Sequence, residues 1–440
     1  MEQISFDDLM KEREFSKPSP YDGLMSSKKR VLSLFSGAGG MDIGLEGGFN
    51  CHVRSINTDV NPDWIKENRG EWVTVSDTGF ETVFANDIRP DAKAAWVSYF
   101  ENRLPNANDI YRLESIVDLV KRHNAGEEIF PKEIDIVTGG FPCQDFSVAG
   151  KRQGFNSSKS HDGKTELDSD EPTIENRGQL YIWMREVISI TKPKLFIAEN
   201  VKGLISLDDV KEIMERDFAS AAGSGYLVVP AKVLQAANYG VPQSRERIIF
   251  FGFRKDALNK EALDSLKNIN QNPQYDPYPI PTHNFNVNNE KLAEFVKSKE
   301  VLVDLAEPDD AEDLAQTKYS KAKYMPKGQG NIEINLESIS PTIRSEHHGN
   351  IEFRRLSKEN GGKNIDELEK GLKERRLTVR ECARLQTFPD DYKFILDKTD
   401  TNVALSASNA YKIIGNAVPC ILAYNIAQSI KSKWDLYFKE

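Results

Sequence analysis

A cysteine stands where a short apolar run ends and the chain must turn. The run Ile134-Asp-Ile-Val137 is followed, after Thr138, by Gly139-Gly-Phe-Pro-Cys143-Gln144. In open α/β sheets, ligands bind outside the carboxyl ends of the strands, and paired glycines before a proline set a sharply turned backbone there. The pattern predicts Cys143 as an accessible nucleophile, with Pro142 shaping its turn. The alternative is a small buried cysteine that ends a strand, the commoner situation for this residue.

An acid and two arginines stand at the ends of later apolar runs. Glu199 ends one run, and Arg245 and Arg247 precede the next. Because adjacent strand tips meet at one crevice, Cys143 and Glu199 can face one substrate. A thiolate that adds to an electron-poor ring needs a partner for the charge that builds on the ring. A carboxyl kept protonated by burial can be that partner, and the arginines can hold a phosphate or a ring carbonyl.

A glycine-rich turn, Phe35-Ser-Gly-Ala-Gly-Gly40, joins the first predicted strand to a helix. Such glycines let a backbone approach a ligand closely, and the helix offers free N–H groups. The dinucleotide fingerprint is met only in part, so a nicotinamide, flavin or methyl-donor site, or a plain tight turn, all agree with it. Two acids are expected at the ends of the next strands, Asp59 for ribose hydroxyls and Asp87 for an adenine amino group. A solvated loop carboxylate is the alternative for each.

Short apolar runs alternate with longer helical patterns from residue 30 to about residue 255, which is typical of βαβ units around a parallel sheet. The predicted buried strands are residues 31–35, 134–137, 195–198 and 248–251. A helix is predicted over residues 180–190, ending before Pro193. The fold class is therefore α/β, with a doubly wound and mostly parallel sheet.

The rest of the chain divides around this catalytic domain, residues 30–255. The βαβ rhythm stops over residues 256–374, which predicts a second, smaller domain. Residues 375–440, with a capping box that begins at Thr378, are expected to complete the first domain, and residues 1–29 to form a flexible arm. Two stretches are interpreted as insertions, one mostly helical and one polar and acidic: residues 90–132 and 156–175.

The composition is that of an ordinary soluble protein. The 440 residues are 39% hydrophobic and 29% charged, with a formal net charge of -10. No apolar run approaches the roughly 18–20 residues of a membrane span, and the N-terminus is not signal-like, so a cytoplasmic location and no membrane partner are expected. The 4 cysteines form no CxxC pair, which argues against disulfides and a zinc site. The negative net charge does not exclude nucleic acid, since basic residues cluster locally, as at Lys151 and Arg152.

These motifs resemble those of the cytosine-C5 DNA methyltransferases of bacterial restriction–modification systems, in the family's order and across almost the whole catalytic half. The matching segments are Phe35-Ser-Gly-Ala-Gly-Gly40, Gly140-Phe-Pro-Cys-Gln144, Arg177-Gly-Gln-Leu180, Glu199-Asn-Val201, Gln243-Ser-Arg-Glu-Arg247, Arg380-Glu-Cys-Ala-Arg-Leu-Gln-Thr-Phe-Pro389 and Ile414-Gly-Asn-Ala-Val-Pro419. The resemblance implies a Rossmann-like methyltransferase sheet with a target-recognition domain over residues 256–374.

The resemblance also implies catalytic roles. Cys143 resembles the nucleophile that attacks C6 of cytosine, and Glu199 the acid that contacts N3 and the exocyclic amine. Arg247 is similar to the arginine on the cytosine carbonyl. Arg245 is expected to support the target's backbone or the closed loop, and Asn200 to help hold the Pro-Cys loop.

The implied cofactor is S-adenosyl-L-methionine, with no metal. Phe35 resembles the aromatic residue near the donor's adenine, and Asp87 and Ile88 match the adenine site. Asp59 is expected to bind the ribose. Asn416 belongs to the last motif, which closes over the cofactor. The backbone that cradles the methionine part matches three glycines: Gly37, Gly39 and Gly40.

The implied partner is duplex DNA, from which the target cytosine must be flipped, because C6 is inaccessible in a stacked duplex. Residues 144–176 are expected to close as a lid, with Lys151 and Arg152 on phosphates. In the smaller domain, base-edge contacts with DNA are expected from the element that begins at Pro341, with a structural turn as the alternative. The candidates there are Thr342, Arg344, His347 and His348. A companion restriction endonuclease is implied, acting on the same site without a stable complex.

Three other functions are open to such a chain. An RNA cytosine-C5 methyltransferase that modifies tRNA shares the motifs, although the long recognition domain favours DNA. An idle DNA-binding protein on the same fold is disfavoured by the intact Cys143, Glu199 and Arg247. A nicotinamide oxidoreductase gains no support from the closing motif around Gly415 and Asn416.

Overall fold

The computed structural model describes residues 28–142, 180–206, 210–284, 291–322, 332–345, 351–354, 358–396 and 404–439. The strands are β1 (Lys29–Leu34), β2 (Asn50–His52), β3 (Ile65–Asn68), β4 (Trp72–Val75), β5 (Phe80–Asp87), β6 (Tyr111–Leu113), β7 (Ile136–Gly139), β8 (Leu195–Val201), β9 (Tyr226–Gln235), β10 (Glu246–Arg254), β11 (His283–Asn284), β12 (Ala293–Glu294), β13 (Ile332–Glu333), β14 (Ile351–Arg354) and β15 (Arg375–Arg376). The α-helices are α1 (Gly40–Glu46), α2 (Pro90–Phe100), α3 (Ala107–Ile110), α4 (Ile116–Asn124), α5 (Leu180–Thr191), α6 (Val210–Ala219), α7 (Lys260–Lys267), α8 (Ser298–Leu302), α9 (Ile365–Glu369), α10 (Val379–Leu385), α11 (Ala407–Asn416), α12 (Cys420–Lys431) and α13 (Trp434–Tyr437).

A seven-stranded sheet of order β6-β5-β1-β7-β8-β10-β9 forms the centre of the molecule. Strand β10 runs antiparallel to both of its neighbours, and the other pairings are parallel. Successive residues of a strand enter different cores, Val31 and Ile136 on one face and Leu32 and Val137 on the other, so both faces are covered. This arrangement confirms the doubly wound α/β fold. The four predicted strands correspond to β1, β7, β8 and β10, and the predicted helix to α5.

Two predictions about the first domain are wrong. Residues 90–132 are not an insertion, because they include α2, α4 and β6, and β6 pairs in parallel with β5 as an edge strand of the central sheet. The excursion lies earlier: β2, β4 and β3 form a separate three-stranded antiparallel sheet between α1 and β5. Asp59 belongs to a turn of this excursion, and not to the end of a central strand.

The smaller domain contains little regular structure. Strands β11 and β12 pair with each other, and a three-stranded sheet of order β13-β14-β15 follows. Since β15 begins at Arg375 and pairs with β14, the sheet crosses the predicted boundary at residue 374. The segment 341–344 forms no strand. A buried ion pair supports this region, with Arg375 Nη1 lying 2.8 Å from Glu381 Oε2.

The C-terminal helices pack against the first domain. The predicted capping box is present: Thr378 Oγ1 accepts from Glu381 N–H at 3.0 Å, and Thr378 N–H donates to Glu381 Oε2 at 2.8 Å. Helix α12 begins after Pro419 and packs so closely on α1 that a methyl group added at Gly44 would lie 2.4 Å from Ala423 Cβ. In the described part of the chain, the segment Ala407–Lys431 is long and apolar enough to cross a membrane, but 83% of its apolar window is buried, as in a core helix.

Candidate active site at the carboxyl edge of the sheet

The loop that leads to the predicted nucleophile leaves the sheet at the end of β7. Its described residues are Gly140, Phe141 and Pro142, and the carbonyl of Phe141 accepts a hydrogen bond of 3.2 Å from Asn200 Nδ2. Asn200 therefore ties this loop to the adjacent strand β8, which agrees with the role expected of it. The following predictions fall outside the described residues: Cys143, Lys151, Arg152, His347 and His348.

A carboxylate and a guanidinium meet directly beside this loop. Arg247 Nε lies 2.7 Å from Glu199 Oε1, and both side chains are at most a tenth exposed. The carboxylate also touches the loop backbone, since a methyl group added at Gly140 would lie 2.8 Å from Glu199 Oε2. Strand pairing explains the meeting, because Glu199 on β8 stands opposite Ile249 on β10, two residues beyond Arg247. The predicted acid and arginine are thus brought together beside Gly140, which precedes Cys143 by three residues.

Burial raises the pKa of Glu199 above that of an ordinary glutamic acid, although Arg247 and Arg245 oppose the shift. Desolvation penalises the charged form of a carboxyl, and a nearby cation only partly compensates for it. The acid form of Glu199 therefore persists to higher pH than it does in a solvated glutamate. A group in this condition can give a proton to a substrate atom and can take it back later.

Arg245 is turned away from solvent and is used inside the protein. Its side chain donates to the carbonyls of Ile343, Gly415 and Ala417 at 2.7–2.9 Å. The prediction that it supports the backbone of the target is therefore not matched by its position. Thr342 is likewise engaged internally, because its hydroxyl donates to the carbonyl of Ser244.

The glycine-rich turn has the tight backbone that its sequence predicts. Phe35, Gly37 and Gly39 have positive φ angles of 54°, 53° and 76°. At two glycines, packing within the protein also excludes a side chain. A methyl group would lie 2.6 Å from the Trp96 ring at Gly39, and 2.2 Å from the Val418 carbonyl oxygen at Gly40.

A buried carboxyl beneath this turn was not predicted. Asp42 accepts hydrogen bonds from Ser33 Oγ at 2.6 Å and Trp96 Nε1 at 2.8 Å. Burial raises its pKa to about 6, and these two hydrogen bonds oppose the shift. The signal was present in the sequence as an acid inside the first turn of an otherwise apolar helix. Asp42 links β1, α1 and α2 below the turn.

Asp87 ends β5, the strand beside β1. Its Oδ2 accepts from Gly37 N–H at 3.0 Å, so this carboxylate lies against the glycine-rich turn. The next residue, Ile88, is 39% exposed although it is apolar. Glu114 follows β6, the strand one step further out, and its carboxylate pairs with Arg122. The sequence pattern did not predict β6, because this strand is only three residues long and lies among helices. Asp59 is exposed and stands apart from this group.

The C-terminal segment closes the same edge of the sheet. Asn416 is exposed at the end of α11, and the next two residues pack on the turn beside Gly40. The hydroxyl of Tyr392 donates to the carbonyl of Ala38 at 2.8 Å, which fixes the turn from the same side. Among the described residues, no group of three or more His, Cys, Asp or Glu side chains could hold a metal ion.

The sequence matches known proteins over most of its length. A family model described as C-5 cytosine-specific DNA methylase matches residues 70–432. The Type II methyltransferase M.BspRI of Lysinibacillus sphaericus is 32% identical over 435 residues, covering 94% of this chain and 84% of that protein. The Type II methyltransferase M.NgoPII of Neisseria gonorrhoeae is 28% identical, covering 94% of this chain and 98% of that protein.

Solved structures share the fold at low sequence identity. The S. pombe Dnmt2 methyltransferase superposes with a TM-score of 0.51 at 16% identity, over 92% of this chain and 99% of that one. The Entamoeba histolytica methyltransferase EhMeth superposes with a TM-score of 0.53 at 15% identity, over 94% of this chain and 99% of that one.

Proposed function

Because this chain belongs to the C-5 cytosine-specific DNA methylases, and is thus a DNA cytosine-5-methyltransferase, we propose that it methylates a flipped-out cytosine of duplex DNA through a covalent bond from Cys143 to C6. The donor in this proposal is S-adenosyl-L-methionine. The observation that supports it most is the Glu199–Arg247 pair, which lies against Gly140 in the loop leading to Cys143.

The pair suits the polar edge of cytosine. A protonated Glu199 donates its O–H to ring N3 and accepts from the exocyclic amine through its other oxygen. Arg247 donates to the ring carbonyl, which accepts only. The base can replace part of the contact between the two side chains, which together offer the pattern of donors and acceptors that cytosine requires.

Addition of the thiolate makes carbon 5 reactive. The Cys143 sulfur forms a bond to C6, and the electrons of the C5–C6 double bond move into the ring as Glu199 gives its proton to N3. When bound, S-adenosyl-L-methionine would supply an electrophilic methyl group on a sulfonium, to which carbon 5 would bond as the sulfur–methyl bond breaks and S-adenosyl-L-homocysteine is left. Carbon 5 then loses its proton to a base, the C6–S bond breaks, and the thiolate and the Glu199 proton return to their starting states.

The residues at the glycine-rich turn fit the proposed donor. Rossmann-type sheets carry their ribose acid at the end of the strand beside the first one, and Asp87 occupies this place. The exposed apolar side chain of Ile88 suits one face of a purine. Phe35 is the first residue of the glycine-rich turn that follows the neighbouring strand β1. We therefore assign Asp87 to the ribose hydroxyls and Glu114, after the next strand, to the adenine end. Asp59 has no part in this site.

The DNA contacts are proposed to come from the lid and the smaller domain. Lys151 and Arg152 are proposed to meet phosphates. In the smaller domain, Arg344 is exposed beside a backbone that is fixed at Ile343, so it is the better of the two described candidates for a DNA contact. Thr342 holds its own segment in place, since its hydroxyl is directed at Ser244. A companion endonuclease that recognises the same site belongs to this proposal.

The activity is tested by methyl transfer from labelled S-adenosyl-L-methionine with purified protein. We expect incorporation into duplex DNA and not into tRNA, and we expect Cys143→Ser to abolish it. Cys51→Ala, which changes a buried cysteine of the core, is the matched control and should retain activity per folded molecule. Label in tRNA alone would establish the RNA function instead. Sequencing of methylated DNA from cells that express the protein then gives the target site.

A further inference from the structure

Arg245 joins parts of the chain that are distant in sequence. Its side chain is 1% exposed, and its two terminal nitrogens reach three backbone carbonyls. Nη1 donates to Ile343 at 2.9 Å, and Nη2 donates to Gly415 at 2.8 Å and Ala417 at 2.7 Å. One planar guanidinium, just before β10, therefore fixes a segment of the smaller domain and the C-terminal end of α11.

These two segments adjoin the two proposed substrate sites. Ile343 precedes Arg344, the exposed candidate for DNA contact. Gly415 and Ala417 flank Asn416, the exposed residue of the closing motif on the donor side. The Arg245 side chain thus fixes the backbone beside the proposed DNA site and the backbone beside the proposed donor site.

The two segments also touch each other and the donor turn. A methyl group added at Gly415 would lie 2.4 Å from the Arg344 carbonyl carbon and 2.4 Å from Ser345 N. Beyond Ala417, the Val418 carbonyl oxygen packs on Gly40 with equal closeness. Close packing of the backbone therefore runs from the DNA-side segment to the glycine-rich turn, so a change in the mobility of one part affects the next.

The residues before Arg245 strengthen the DNA-side anchor. Gln243 Oε1 accepts from Ile343 N–H at 3.0 Å, and Ser244 N–H donates to the Ser340 carbonyl at 2.7 Å. Of the two segments, Gln243 and Ser244 bind only the one in the smaller domain, whereas Arg245 binds both that segment and the end of α11. Of these three residues, Arg245 is therefore the one that connects the two segments.

We propose that Arg245 is a positioning residue that couples the donor site to the DNA-recognising segment, so that each substrate binds more tightly when the other is present. The inference rests on the proposed function for the identity of the two ligands. Binding of either ligand orders one of the two segments, and the shared guanidinium passes that order to the other. Lysine at this position keeps the charge but has a single nitrogen, which cannot span three carbonyls in two segments.

The test measures binding in four combinations. The dissociation constant of S-adenosylhomocysteine is determined with and without a duplex that contains the methylated target, and that of the duplex with and without S-adenosylhomocysteine. By linkage, the two ratios are equal, and we expect a ratio of about 5 or more in the wild type. In Arg245→Lys the ratio is expected to fall to about 1. The matched control is Arg354→Lys, since Arg354 is equally buried but pairs with Glu307 and Glu367, which belong to neither segment. It should lower the melting temperature and keep the ratio.

A second variant meets the case in which Arg245→Lys does not fold. Gly415→Ala forces apart the same two segments from the other side, and it is expected to lose the coupling as well. Retention of the full ratio in a folded Arg245→Lys, or in Gly415→Ala when only that variant folds, overturns the inference while the proposed function stands. A wild-type protein that binds both ligands with a ratio of about 1 also overturns the inference and leaves the proposed function standing. A wild-type protein that binds neither ligand refutes the proposed function, and the inference falls with it.

Discussion

Glu199 has the environment of a proton donor because three neighbours act on it together. The strand around it excludes water, Arg247 holds one of its oxygens, and the backbone of Gly140 approaches the other closely from one side. Burial dominates, so the pKa of the carboxyl is raised even though a guanidinium is in contact with it. A buried ion pair contributes little net stability, so the position of this pair beside the loop that leads to Cys143 agrees with the proposed catalytic role.

Replacement of Glu199 by glutamine tests this role. Glutamine keeps the shape and still accepts from Arg247, but it has no proton to give to ring N3. The single-turnover rate of methyl transfer is expected to fall about 10²-fold or more, as is usual for loss of a general acid. Glu246→Gln is the control, because Glu246 is a neighbour whose exposed carboxylate pairs with Lys202. Equal rates for Glu199→Gln and the wild type would remove the acid role.

The pH dependence of the same rate follows from the direction of the pKa shift. A raised pKa means that the acid form of Glu199 remains populated above the usual range of a glutamic acid. The rate per bound substrate is expected to decline as the pH rises through that pKa. Glu199→Gln is expected to lack this decline, since its amide does not titrate.

Residue patterns predicted which side chains meet at the carboxyl edge of the sheet better than they predicted the individual contacts. Glu199 and Arg247 meet as expected because their strands are adjacent and fully buried. The function of Arg245 could not be predicted, because its partners are carbonyls almost 100 to 170 positions away in the chain. Asp59 was misplaced because a regular spacing after the first helix was assumed, and the chain leaves the central sheet there.

At the scale of elements, the three-stranded sheet of β2, β3 and β4 explains that error. It extends the connection between α1 and β5, so the second central strand comes later than a standard βαβ unit requires. The strand β6 was not predicted because it is too short: three residues among helices give no periodic signal. Long apolar runs such as those of β8 and β10 were predicted because a buried parallel or mixed sheet needs them.

Glu46 at the end of α1 gives a prediction about stability. Its Oε1 accepts from the Thr82 N–H of β5 at 3.0 Å, and burial raises its pKa from 4.5 to about 7. Between these values the folded state binds more protons than the unfolded state, so the free energy of unfolding falls as the pH rises. Glu46→Gln is expected to remove up to about 3 kcal/mol of this loss, since each pKa unit is worth about 1.4 kcal/mol.

The measurement is urea unfolding of wild type and Glu46→Gln at pH 5 and at pH 8. Asp42 titrates in a similar range and is present in both proteins, but its charge also raises the pKa of Glu46, so the difference between the two proteins includes this interaction. Glu101→Gln, at an exposed position after α2, is the control and should follow the wild type. A wild-type stability that rises from pH 5 to pH 8 relative to Glu46→Gln would contradict the assigned direction.

At the scale of the whole molecule, distant parts of the chain converge on one edge of the central sheet. The C-terminal segment reaches back to the glycine-rich turn through Tyr392 and Val418. The three-stranded sheet contacts the smaller domain, where Trp72 Nε1 donates to Asp304 Oδ2 at 3.3 Å and Asn57 Nδ2 donates to the Thr282 carbonyl at 2.9 Å. The proposed donor, base and DNA sites therefore share one structural frame, although their residues span nearly the whole sequence.

In the proposed mechanism, Cys143 and Glu199 act on one cytosine held between two adjacent strand tips. The most direct test is to incubate the protein and S-adenosyl-L-methionine with a target duplex that carries 5-fluorocytosine. Fluorine at C5 cannot leave as a proton does, so the methylated covalent product cannot eliminate the enzyme.

We expect a stable protein–DNA adduct whose bond maps to Cys143 by peptide mass spectrometry, formed by the wild type, absent from Cys143→Ser, and formed far more slowly by Glu199→Gln. Methylation of ordinary target DNA without any adduct on the fluorinated duplex, or an adduct at a different residue, would contradict the account.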